Sequence, residues 1–126
     1  MAKKILIIDD EADIRTFLET LLKENGYETA TAPDGDQGYE MAQEFKPDAI
    51  TLDIIMPKET GVKFYRRLVK HPDLKNVPVI ILSGVTRYKE LFARDHHTMP
   101  RPYAFVEKPI NQSELLEHVE GAMARV

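Results

Sequence analysis

The sequence of 126 residues contains no cysteine, no tryptophan and no long apolar run, and aromatic residues make up only 8% of it. Without cysteine, a disulfide framework and thiolate chemistry are excluded. The N-terminal apolar run at 5–8 follows two lysines and ends on two acids, so it is too short for a signal peptide or a membrane span. We therefore expect a cytoplasmic protein.

An excess of basic residues is also missing. Lysine and arginine number 17 against 21 acidic residues, a net charge of −4, which disfavours a general nucleic-acid surface. A hydrophobic content of 43% and a charged content of 30% are ordinary for a globular protein. The length favours one domain over residues 1–126, with no output domain in this chain. The sequence is equally compatible with a stand-alone protein and with a fragment of a longer one.

Short apolar runs alternate with segments of helical periodicity along the whole chain. Since parallel strands need crossover connections, this alternation predicts an α/β fold: a doubly wound, five-stranded parallel sheet of flavodoxin-like order 2-1-3-4-5, with helices on both faces. The predicted strands are 5–8, 28–32, 49–52, 77–82 and 103–106. The helices follow them, with the fourth predicted at 88–95 and the last capped by Asn111.

Polar residues follow four of the five predicted strands. They are Asp9 and Asp10 after the first, Asp53 after the third, Ser83 after the fourth and Lys108 after the fifth. Because the carboxyl ends of parallel strands open on one edge, we expect these side chains to converge there. Clustered carboxylates repel one another unless a cation intervenes, and Mg²⁺ prefers such oxygen ligands. Asp53 is then either a metal ligand only or a carboxylate nucleophile.

Each of these residues has a simpler explanation when taken alone. A single aspartate is more often a helix cap or a solvated loop acid, and Ser83 alone is most simply a turn residue. The pair His96-His97 lacks a third ligand at a suitable spacing, so we interpret it as part of a solvated loop. The combination at one sheet edge, not any single member, predicts a functional site.

With Met56-Pro57 and Gly61 after Asp53, and Pro109 after Lys108, these motifs resemble the receiver domain of bacterial two-component response regulators. The resemblance covers essentially the whole chain. It implies that Asp53 accepts a phosphoryl group from a histidine kinase. It also implies a Mg²⁺ site in which Asp10, Asp53 and the backbone carbonyl of Ile55 bind the ion directly and Asp9 acts through water.

The resemblance further assigns roles on the output side of the site. Ser83 would donate a hydrogen bond to the phosphoryl group, Lys108 would pair with it, and Ser83 and Phe105 would form the switch. The implied partners are a sensor histidine kinase or phosphotransfer protein and an unknown downstream protein, with a phosphorylation-dependent homodimer. Neither direct nucleic-acid binding nor membrane binding is expected.

The sequence departs from the family pattern at several positions. Ile55 cannot orient an attacking water, which predicts slow self-dephosphorylation. Gly84 stands where alanine is common, and Met99-Pro100-Arg101-Pro102 replaces a Gly-Ala-acid motif, so the helix at 88–95 is expected to be short, displaced or mobile. Phe105 has no hydroxyl, so a switch there would be steric.

Three rival functions remain to be compared. A phosphohydrolase would need an Asp-x-Asp motif, which Ile55 breaks, and a flavin or nucleotide binder would need a phosphate-binding loop that is absent. A receiver-like scaffold that works without phosphorylation is the alternative. We expect no turnover enzyme, although the domain would assist its own phosphorylation.

Overall fold

The apolar runs form one five-stranded parallel sheet. The computed structural model describes residues 2–54, 61–84 and 101–124. The strands are β1 (Lys4–Ile8), β2 (Glu28–Ala32), β3 (Ala49–Asp53), β4 (Val79–Ser83) and β5 (Ala104–Glu107), in the order β2-β1-β3-β4-β5. The helices in these ranges are α1 (Ala12–Glu24), α2 (Gly35–Phe45), α3 (Gly61–Lys70) and α4 (Gln112–Met123). The predicted fold class and strand order are confirmed.

The sheet buries apolar side chains on both of its faces. In β1, Leu6 and Ile8 pack towards α2 and α3, whereas Ile5 and Ile7 pack towards α1 and α4. Successive side chains of a strand point to opposite faces, so a strand covered on both sides is apolar at nearly every position. This requirement explains the continuous runs in β1, β3 and β4. The threonine-rich β2 lies at one edge of the sheet and is less buried.

The bounds of four strands differ slightly from the prediction, and β1 begins one residue earlier than expected, at Lys4. β4 begins at Val79 instead of residue 77, because Pro78 has no N–H to donate and only its carbonyl accepts, from the Ile50 amide at 3.0 Å. β5 covers 104–107 instead of 103–106. β3 includes Asp53, which pairs with Leu82 of β4. The acid is therefore the last residue of a buried strand and has a backbone fixed by the sheet.

Local signals set the helix ends. The Asp34 side chain accepts a hydrogen bond from the Gln37 amide at 2.9 Å, and Asn111 accepts from the Glu114 amide at the same distance, so the predicted Asn111 cap is confirmed. In the described part of the chain, every helix is too short or too polar to cross a membrane. Three segments discussed above lie outside the described residues: the predicted helix 88–95, Met56-Pro57 and His96-His97.

Candidate functional site

Asp9 is fully buried directly after β1, and each of its polar groups is engaged. Its amide donates to the Ala32 carbonyl at 3.1 Å, and its own carbonyl accepts from Arg15 Nη1 at 2.7 Å. Its Oδ1 accepts from the Glu11 amide at 2.9 Å, and its Oδ2 accepts from Lys108 Nζ at 3.1 Å. A buried carboxylate needs such partners, so Asp9 is held in one orientation.

Lys108 joins the two buried acids of this edge. Besides its bond to Asp9, its Nζ lies 3.6 Å from Asp53 Oδ1 and 3.6 Å from Glu11 Oε1. The Lys108 amide donates to the Ser83 carbonyl at 2.8 Å, which extends the pairing of β4 and β5 beyond the last strand residue, and the Lys108–Pro109 peptide bond is cis. The convergence of Asp9, Asp53, Ser83 and Lys108 on one edge of the sheet is as the sequence predicts.

The charges around Lys108 determine its titration. Burial alone would lower the pKa of this lysine, because a charged group loses hydration. The negative charges of Asp53, Asp9 and Glu11 and the hydrogen bond to Asp9 outweigh burial, and the pKa of Lys108 is raised above its ordinary value. The ammonium is therefore fully charged at neutral pH.

Three carboxylates at this edge have the arrangement of a metal site. Oxygen atoms of Asp9, Asp10 and Asp53 lie within 4.8 Å of one another, with Asp10 exposed and the other two buried. An all-carboxylate donor set with one solvent-facing member suits Mg²⁺, which keeps several waters. Counting Glu11, the described part of this edge holds four carboxylates, against the ammonium of Lys108 and the guanidinium of Arg15. The surplus negative charge also favours a divalent cation. The residues present fit the predicted ion.

The two predicted switch residues lie on adjacent strands. Ser83 is 1% exposed at the end of β4 and pairs in register with Glu107. Phe105, in the middle of β5, is half-buried and packs against the α2–α3 side of the core. Ile55, whose carbonyl the resemblance assigns to the metal, lies outside the described residues.

Gly61 holds the backbone that follows Asp53. Its amide donates to the Ile54 carbonyl at 2.7 Å, and a Cβ at this position would lie 2.6 Å from Ile54 Cα and 2.7 Å from the Asp53 carbonyl oxygen. No side chain fits at these distances, so only glycine allows α3 to begin this close to β3. Gly61 thus supports the site because it lets the start of α3 lie directly against the backbone of Asp53 and Ile54.

Arg15 is a neighbour of these acids that the sequence reasoning missed. It lies in the first turn of α1, six residues after Asp9, and reaches back to the Asp9 carbonyl. The sequence did offer a signal for this contact: an arginine close to the acidic run at 9–11.

Comparison with known proteins decides the family. Residues 5–120 match the family model of the response regulator receiver domain. The chain belongs to this family. The receiver domain is 32% identical over 124 residues to the protein Rrf1 of Nitratidesulfovibrio vulgaris, a match that covers 98% of this chain and 85% of that protein.

Two further relatives show how far the likeness extends. The phosphate regulon transcriptional regulatory protein PhoB of Escherichia coli is 29% identical over 126 residues, and the match spans all of this chain but 54% of PhoB. The structure of the Vibrio cholerae chemotaxis protein CheY4 superimposes with a TM-score of 0.86 at 27% identity, covering 97% of this chain and 99% of that one. The receiver domain therefore spans nearly all of CheY4 and about half of PhoB.

Proposed function

We propose that this receiver domain accepts a phosphoryl group on Asp53 from the phosphohistidine of a sensor kinase or phosphotransfer protein. The observation that carries the proposal is the buried Asp53 carboxylate, which shares one sheet edge with Asp9, Asp10 and Lys108. In the reaction, a carboxylate oxygen of Asp53 forms a bond to phosphorus, and the bond between phosphorus and the histidine nitrogen breaks. The histidine leaves with the bonding electron pair and takes up a proton.

The acids at this edge would hold Mg²⁺ during the transfer. Asp10, Asp53 and the backbone carbonyl of Ile55 are the proposed direct ligands, and Asp9 is proposed to act through water. The ion offsets negative charge on the transferring group, which is the main requirement of phosphoryl transfer. The fixed orientation of Asp9 supports this assignment, since a preformed ligand set loses little freedom on binding.

Lys108 and Ser83 would recognise the transferred group. The ammonium of Lys108 already lies 3.6 Å from Asp53 Oδ1, so pairing with a phosphoryl oxygen requires only a small change of partner. Ser83 has a hydroxyl that can donate to a second oxygen. Phosphorylation adds strong acceptors and about −1.5 to −2 charge at this point. Phe105, half-buried on the neighbouring strand, is the proposed steric reporter of that change.

The domain is proposed to act by protein contact and not by turnover. Its partners would be the kinase or phosphotransfer protein and a downstream protein, with phosphorylation favouring a homodimer, and nucleic acid would not be bound directly. We also propose that residues 1–126 act as a single receiver domain in the cytoplasm. PhoB is named a transcriptional regulatory protein, but the match with this chain spans 54% of PhoB. We therefore do not propose that role for this chain.

Intact mass spectrometry tests the proposal. The wild type, incubated with Mg²⁺ and acetyl phosphate, is expected to gain the mass of one phosphoryl group, whereas Asp53→Asn is expected to gain none. Asp48→Asn is a matched control, because Asp48 directly precedes β3 and so lies at the amino ends of the strands, opposite the site. If the wild type gains no mass with this donor or with a cognate kinase, the proposal is wrong and a scaffold without phosphorylation replaces it.

A further inference from the structure

Arg15 binds the backbone of the acidic edge and not one of its carboxylates. Its Nη1 donates to the Asp9 carbonyl at 2.7 Å, and the arginine itself is half-buried. β1 ends at Ile8, so the Asp9 carbonyl lies beyond the strand on a fully buried residue. A buried carbonyl that loses its donor is costly, and the guanidinium supplies that donor from the first turn of α1.

This contact closes a short structural unit around the acids. The Arg15 amide donates to the Glu11 carbonyl at 3.1 Å in the first turn of the helix, and the Glu11 amide donates to Asp9 Oδ1 at 2.9 Å. The side chain of Arg15 then returns to the Asp9 carbonyl. The segment carrying Asp9 and Asp10 is therefore held at its backbone as well as at the Asp9 side chain.

We propose that Arg15 is a positioning residue of the metal site, acting through the Asp9 carbonyl to hold the carboxylates of Asp9 and Asp10 where they can share a divalent cation. This inference rests on the proposed function, since it assigns the ion to the same acids. Some groups do not bind the metal but hydrogen-bond to its ligands and orient them. Removing such a group commonly weakens metal binding by about 10- to 100-fold.

Electrostatics alone would give the opposite effect. A guanidinium near a cation site repels the cation, so deleting a mere positive charge should strengthen Mg²⁺ binding. Deleting a positioning group should weaken it. The sign of the change therefore separates the two roles.

Isothermal titration calorimetry of Mg²⁺ binding measures that sign. Arg15→Met is expected to raise the Kd by about 10-fold or more, and Arg15→Lys should recover part of the affinity because it keeps one donor and the charge. Lys23→Met is the matched control: it removes one positive charge from the exposed far end of α1, where Lys23 pairs with Glu19 at 3.5 Å. Unchanged or tighter binding by Arg15→Met would overturn the proposal.

Amide hydrogen exchange in the metal-free protein separates this inference from the function on which it rests. The Glu11 amide should exchange faster in Arg15→Met than in the wild type or in Lys23→Met, because the unit around Asp9 is loosened. An unchanged rate overturns the positioning role. A wild type that binds no Mg²⁺ would instead contradict the proposed function, and the exchange rate of Glu11 would still decide what Arg15 does.

Discussion

The two ends of the sheet use the same residue types for different purposes. At the amino end, the Lys4 amide donates to Asp48 Oδ2 at 2.8 Å, the Asp48 amide donates to the Lys4 carbonyl at 2.7 Å, and Lys4 Nζ donates to the Phe45 carbonyl at 3.2 Å. Each group here satisfies a backbone partner. At the carboxyl end, Asp9, Asp53 and Glu11 share the single ammonium of Lys108.

This difference in charge balance indicates which end of the sheet carries the functional site. Carboxylates that cap backbone groups contribute to the fold and need nothing more. Carboxylates that outnumber their cations repel one another, and that repulsion is relieved when a cation binds. We therefore expect a bound cation to stabilise the carboxyl end of the sheet and to have no such effect at the amino end.

Mg²⁺ should reveal this difference most strongly. At a concentration about 100 times its Kd, the ion should raise the free energy of unfolding by about 2.7 kcal/mol. Asp10→Asn should lose most of this increment, because it removes the exposed member of the acid cluster. Thermal unfolding with and without Mg²⁺ measures the increment, and Asp48→Asn at the amino end should retain it. Equal losses in both variants would break the comparison.

Gly61→Ala should give the next largest effect. The new Cβ would overlap the backbone of Asp53 and Ile54, and overpacking of this kind costs roughly 1–3 kcal/mol. Urea unfolding measures the loss. Gly84→Ala is the control, because among the described residues its Cβ would meet only Lys108 Cβ, at 3.9 Å, an ordinary contact. A Gly61→Ala variant as stable as the control would contradict this prediction, because it would show that the backbone after β3 can shift at little cost in free energy.

Thr51→Val should stabilise the middle of the sheet. The Thr51 hydroxyl is buried in β3 and has no hydrogen-bond partner among the described residues. Replacing it with an isosteric methyl removes an unpaired polar group, which should raise the free energy of unfolding by about 1 kcal/mol. Thr29→Val on the edge strand β2 is the comparison, since its hydroxyl already donates to Glu19 at 3.3 Å. A loss of stability in Thr51→Val would contradict the prediction.

Alkaline pH should give the smallest effect. The pKa of Lys108 is raised above its ordinary value, so its pairing contributes stability that is fully present below about pH 10.4, the unfolded value. That contribution is lost as the pH rises through the folded pKa. The stability difference between the wild type and Lys108→Met should therefore be constant from pH 7 to 9 and narrow above about pH 10.4. A constant difference up to pH 12 would show that the charge of Lys108 contributes nothing.

Burial raises the pKa of Tyr65 to about 12, and this complicates the same pH range. The unfolded tyrosine ionises near pH 10, so the folded state loses stability between these two values. Comparing Lys108→Met with the wild type in a Tyr65→Phe background removes this contribution from both proteins. A tyrosine absorbance titration confirms that the background lacks the step near pH 12.

Much of this protein follows from the sequence by itself. Apolar runs such as Ile5 to Ile8 predict the sheet because a strand covered on both faces favours apolar side chains at nearly every position. The meeting of Asp9, Asp53, Ser83 and Lys108 was predictable because parallel strands end at a common edge. Those arguments need only local pattern and one topological rule.

Other features were decided only by the tertiary structure. Asp9 and Asp10 are adjacent and chemically identical, yet Asp9 is buried against Lys108 while Asp10 faces solvent, because the chain turns after β1. The bond from Arg15 to the Asp9 carbonyl and the contact of Gly61 with Ile54 likewise depend on how a helix start meets a strand end. Spacing along a sequence carries no such distances, and only packing sets them.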